Sequence, residues 1–134
     1  MIKEFVDKFM SNRQDLINIF SEKHPDDYKE IVKSVISILA KDEDEYDTPD
    51  PERIHEIDDG DYQGTLLFII AKGGYQPSEY WAVKVYYGSC SGCDTLQDIR
   101  GYEDGKPSEL QVKDYMTLAL HIVQGLTKIE GDRV

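Results

Sequence analysis

The chain has 134 residues, of which 27 are acidic and 15 are basic, so its formal net charge at pH 7 is −12. Nucleic acids and anionic membranes repel so negative a protein, and we expect no direct binding to either. No apolar run approaches the roughly 18 residues of a membrane span, and the N-terminus lacks the features of a signal peptide. We therefore expect a cytoplasmic protein with a single domain over residues 1–134.

Apolar spacing predicts two helical regions before the acidic part of the chain. Residues 2–20 place their apolar side chains near one face, with a break expected near Ser11 and Asn12. A second helix is expected after Pro25, with an apolar stripe that runs from Tyr28 to Leu39. These helices would supply one layer of the core.

The centre of the chain has the pattern of β-structure. Residues 64–72 are mostly apolar, as in a central strand, and residues 79–87 alternate as in a half-buried antiparallel strand. Residues 53–59 alternate weakly and carry several charges, which suits an edge strand. Three consecutive strands predict an antiparallel meander.

Two further helices are predicted after the strands. Residues 94–100 form a short helix after a loop with a C-x-x-C motif, and Ser108 with Gln111 makes a capping box for a last helix through about Glu130. The predicted class is α+β: N-terminal helices, a three-stranded meander, the short helix, and a C-terminal helix packed on the sheet.

Most of the negative charge lies in one stretch, the acidic segment (residues 42–61). It holds eleven acidic residues and one basic residue, Arg53, for a formal charge of −10. The segment is either a solvated loop or a surface that binds a positive partner, since charge complementarity selects partners and speeds association. The candidate partner-binding residues are Asp42, Glu43, Asp44, Glu45, Asp47, Asp50, Glu52, Asp58, Asp59 and Asp61.

The acidic segment does not fit an EF-hand. Counted from Asp42, the loop has Asp47 where glycine is needed and Arg53 where the bidentate glutamate belongs. Weak calcium binding by the loop stays open, but we expect no cofactor.

Cys90 and Cys93 form the C-x-x-C motif. At the start of a helix such a pair is suited to thiol redox chemistry, and with two more ligands it would bind zinc. A structural turn with small, partly buried cysteines explains the motif as well. A thiol-redox or metal-stabilised protein is therefore the alternative function, to be tested by metal analysis and thiol titration.

The remaining candidates are aromatic and histidine side chains. One face of the strand over residues 79–87 carries Tyr80, Lys84 and Tyr86, which form a secondary binding surface if no helix covers them. His24 is predicted at the start of a helix, and His121 in or beside the core.

Residues 81–97, WAVKVYYGSCSGCDTLQ, resemble a segment in small acidic proteins of tailed bacteriophages. The resemblance implies a phage origin and action inside a bacterial cell by binding a host protein. Some such proteins imitate the charge of DNA. The leading hypothesis is a non-enzymatic protein whose acidic segment binds the basic surface of a host nuclease or defence effector.

Overall fold

The computed structural model describes residues 2–41, 48–58, 64–73, 79–87 and 105–130, together with Leu96 and Ile99. These residues form helices and an antiparallel sheet, which confirms the α+β class. The helices are α1 (Ile2–Ser11), α2 (Arg13–Glu22), α3 (Tyr28–Leu39) and α4 (Glu109–Gly125). The strands are β1 (Pro49–Asp58), β2 (Gly64–Lys72), β3 (Glu79–Tyr87) and β4 (Thr127–Glu130).

Local side-chain contacts mark the predicted helix boundaries. Helix α1 ends at Ser11 and α2 begins at Arg13, so the break predicted there is confirmed. At this break the Asn12 Nδ2 atom donates to the Lys8 carbonyl at 3.0 Å. Helix α3 follows Asp27, whose carboxylate accepts from the Glu30 amide at 2.8 Å. This bond satisfies one of the free N–H groups at the helix start.

The sheet has the order β1-β2-β3-β4, and every neighbouring pair is antiparallel. The antiparallel meander order predicted for the first three strands is confirmed, with β1 at one edge as expected. Strand β1 begins at Pro49, earlier than predicted, and the register between β1 and β2 shifts between Pro49 and Ile54. Such a shift twists an edge strand locally.

The prediction of three strands and of a last helix through Glu130 was wrong. Helix α4 ends at Gly125, and the chain then forms β4 beside β3, with Ala82 opposite Thr127. Gly125 lies so near β3 that a Cβ atom there would be 3.3 Å from the Val83 Cγ2 atom. The close approach of α4 to the sheet thus brings the following residues to the edge of β3.

The core lies on one face of the sheet, where the helices pack. Phe68 of β2 and Trp81 and Val83 of β3 are buried there, and α3 and α4 contact β1 and β3. The predicted packing of the C-terminal helix on the sheet is confirmed. Of the predicted short helix, Leu96 and Ile99 are described and are helical. No helix in the described ranges is long and apolar enough to cross a membrane.

Candidate functional site

The described part of the acidic segment forms β1. Ile54, Glu56 and Asp58 pair with Ile70, Phe68 and Leu66, which are buried in β2. Because directly paired residues of antiparallel strands project to the same side, these three β1 side chains lie on the core face of the sheet. Ile54 is half-buried against the core, whereas Glu56 and Asp58 are exposed. Strand β1 therefore uses one end for packing on α3 and presents carboxylates at the other.

Two predicted partner-binding carboxylates form ion pairs within the chain. The Arg53 Nε atom lies 3.3 Å from an Asp50 carboxylate oxygen, and the Lys33 Nζ atom lies 3.4 Å from a Glu52 oxygen. The Asp50 carboxylate also accepts from the Glu52 amide at 2.9 Å. These contacts reduce the negative charge that the first half of β1 offers to a partner.

Glu56 is an exposed carboxylate that the sequence reasoning left out of the candidate set. It forms no ion pair within the described residues, and it lies on the same face as Asp58. The sequence contains a signal for it, because Glu56 and Asp58 are two residues apart in the weakly alternating stretch and therefore lie on one face of a strand. Glu56 therefore joins Asp58 as a candidate contact residue.

Several predicted site residues lie outside the described residues. They are Asp42, Glu43, Asp44, Glu45, Asp47, Asp59, Asp61, Cys90 and Cys93. Within the described ranges, no group of three or more His, Cys, Asp or Glu side chains is arranged to hold a metal ion.

The predicted secondary surface lies on the sheet face opposite the core. Tyr80 is half-buried and Lys84 is exposed, while the side chain of Tyr86 is outside the described part of the structure. Ile57 of β1 shares this face and is 41% exposed. The four described helices pack on the other face, so these side chains have no helix over them within the described residues.

His24 and Tyr115 form a buried polar pair that the sequence reasoning missed. The His24 Nδ1 atom lies 2.7 Å from the Tyr115 hydroxyl, and the two side chains are 5% and 0% exposed. They are 91 positions apart in the sequence, so no local pattern joins them. His121, expected in or beside the core, is instead exposed, because it lies on the solvent side of α4.

The chain matches no protein-family model, no curated protein and no solved structure.

Proposed function

We propose that this protein is a non-enzymatic binding protein whose acidic segment engages the basic surface of a nucleic-acid-binding host protein, such as a nuclease or defence effector. The observation that carries the proposal is the charge of −10 held by 20 consecutive residues. A phage origin is part of the proposal and rests on the resemblance of residues 81–97.

The position of β1 at the sheet edge supports this use of the charge. Strand β1 is at the edge of the described sheet, and Glu56 and Asp58 are exposed on it. Charges on an edge strand also discourage pairing with other chains, and edge protection alone would explain a few of them. It does not explain eleven acidic residues in one stretch, because β1 contains only four of them.

Binding to a panel of purified bacterial nucleases over a series of salt concentrations tests the proposal. Because salt screens exposed charges, affinity should fall steeply as the ionic strength rises. Binding that is unchanged by salt would contradict charge mimicry. The isolated protein should also compete with DNA for the nuclease rather than bind DNA itself.

Matched charge variants locate the contact. The double variant Glu56→Gln with Asp58→Asn should weaken binding, mainly through slower association, since it removes two exposed charges from β1. The control Asp7→Asn with Asp114→Asn removes the same charge from exposed positions of α1 and α4. Equal weakening by both variants would indicate a general effect of net charge rather than a contact by β1.

The sheet face opposite the core, which carries Tyr80, Lys84 and Ile57, is a second candidate surface, favoured by the 41% exposure of Ile57. Replacing residues 42–47 by a neutral Gly/Ser stretch, together with amide substitutions at Asp50, Glu52, Glu56, Asp58, Asp59 and Asp61, separates the two surfaces. Loss of binding would support the acidic segment. Full binding after that replacement, but loss on changing Lys84→Glu, would assign the contact to the sheet face.

A further inference from the structure

A groove between α2 and α4 has a volume of about 510 Å³ and is lined entirely by described residues. This volume lies within the roughly 300–1,000 Å³ that is typical of small-molecule sites. The α2 wall runs from Arg13 to Ser21, which is roughly 12 Å of helix at about 1.5 Å per residue.

The interior of the groove is apolar. Val112 is buried at its base, and Ile17 and Met116 are half-buried beside it. Ser21 donates its hydroxyl proton to the Ile17 carbonyl at 2.7 Å, and Pro107 has no N–H group. These walls offer contact surface rather than hydrogen-bond donors, so they suit an apolar ligand body.

Three exposed charged side chains surround this interior: Arg13, Lys113 and Glu109. None of the three forms an ion pair within the described part of the chain, although Lys106 nearby pairs with Glu22 at 3.5 Å. The groove therefore has a formal charge of +1 in a protein whose net charge is −12. Two exposed cations next to an apolar interior are complementary to an anion with an apolar tail.

We propose that this groove binds a small amphipathic monocarboxylate, such as a medium-chain carboxylate. The carboxylate contacts Arg13 and Lys113, and the guanidinium group can donate two parallel hydrogen bonds to it. The apolar body lies against Ile17, Val112 and Met116, where burial of its methylene groups supplies most of the affinity. The groove shares no residue with the acidic segment, and its test is independent of the proposed protein partner.

Titration of the unaltered protein with three eight-carbon probes tests this proposal. Octanoate, octan-1-ol and octylamine have the same apolar body but carry a negative, neutral and positive head group. Backbone amide shifts in NMR spectra should change around Ile17, Val112 and Met116. Octanoate should bind most tightly, octanol less tightly and octylamine most weakly. Octylamine binding as tightly as octanoate, or shifts confined to other surfaces, would overturn the proposal.

Charge variants then test the role of the two cations. Arg13→Gln with Lys113→Gln should weaken octanoate binding by about 2- to 30-fold, the range for losing two exposed charge contacts, and should leave octanol binding unchanged. The control Lys3→Gln with Lys29→Gln removes two exposed cations outside the groove and should have no such effect. Equal octanoate affinity in both variants would contradict the assignment.

Two single substitutions test the charge of the groove and the position of the ligand separately. Glu109→Gln removes the anion at the groove and should tighten octanoate binding while weakening octylamine binding. Met116→Trp fills the interior and should abolish binding of both octanoate and octanol. Folding of this variant is checked by circular dichroism. Octanoate binding retained in a folded Met116→Trp protein would show that the ligand occupies another place.

Discussion

Helix α3 and strand β1 are successive elements of the described chain and pack against each other, yet they differ in burial. Seven of the twelve residues of α3 are buried, whereas in β1 only Pro49 is. Burial makes α3 sensitive to substitution, because each apolar side chain removed leaves a cavity. Strand β1 can carry charges for binding at small cost to the fold. Substitutions in α3 and in β1 should therefore differ in their effect on stability.

The largest difference is expected for the removal of isoleucine side chains. Ile36→Ala in α3 should lower the free energy of unfolding by about 2–5 kcal/mol, since Ile36 is 0% exposed. Ile57→Ala in β1 should cost under about 1 kcal/mol, because Ile57 is 41% exposed. Urea unfolding measures both. Similar costs would show that β1 contributes to the core as strongly as α3 does.

The buried pair of His24 and Tyr115 should give the next largest effect on stability. Tyr115→Phe removes a hydroxyl that lies 2.7 Å from the His24 Nδ1 atom and should cost about 1–3 kcal/mol of unfolding free energy. Tyr80→Phe, on the sheet face opposite the core, is the control and should change the unfolding free energy by no more than about 0.5 kcal/mol. Equal midpoints for the two variants in urea would contradict a stabilising role for the pair.

The start of α3 should show a smaller effect. Asp27→Ala removes the carboxylate that accepts from the Glu30 amide and should cost about 0.5–2 kcal/mol. Asp114→Ala changes the same side chain at an exposed position inside α4, where alanine favours the helix. The thermal unfolding temperature should therefore fall for Asp27→Ala and stay the same or rise for Asp114→Ala. An equal fall for both variants would contradict the capping role of Asp27.

The smallest effect is expected where α3 meets the acidic strand. Lys33 and Glu52 are 52% and 74% exposed, so their coupling in a double-mutant cycle should be about 0.2–1 kcal/mol or less. Lys33→Gln, Glu52→Gln and the double variant are compared at low and high salt. The coupling should shrink at high salt. A larger, salt-independent coupling would mean that this ion pair anchors β1.

Much of the fold could be predicted because its elements have strong local periodicity. The apolar stripe of α3 and the alternation of β3 each appear within a dozen residues. Strand β4 could not be predicted in this way, since Thr127–Glu130 is only four residues long and its apolar Ile129 continues the spacing of α4. Its pairing with β3 depends on where the end of α4 lies, which is a tertiary contact.

The candidate site was predictable in part. Composition alone located the acidic segment, but the ion pair of Glu52 involves Lys33, which is 19 positions earlier and on another element. The groove is similarly non-local, since Ile17 and Val112 meet only when α2 packs on α4. Contacts between distant residues leave no spacing that a single sequence could reveal.

The amino-acid sequence by itself determined the charge asymmetry, the helical stripes and the central strands, because each depends on residues that are close in the chain. The tertiary structure decided the fourth strand, the burial of His24 against Tyr115, the partial neutralisation of β1, and the apolar groove with its two cations. These features arise from packing between elements that lie far apart in the chain, where the geometry of contact rather than local pattern sets the outcome.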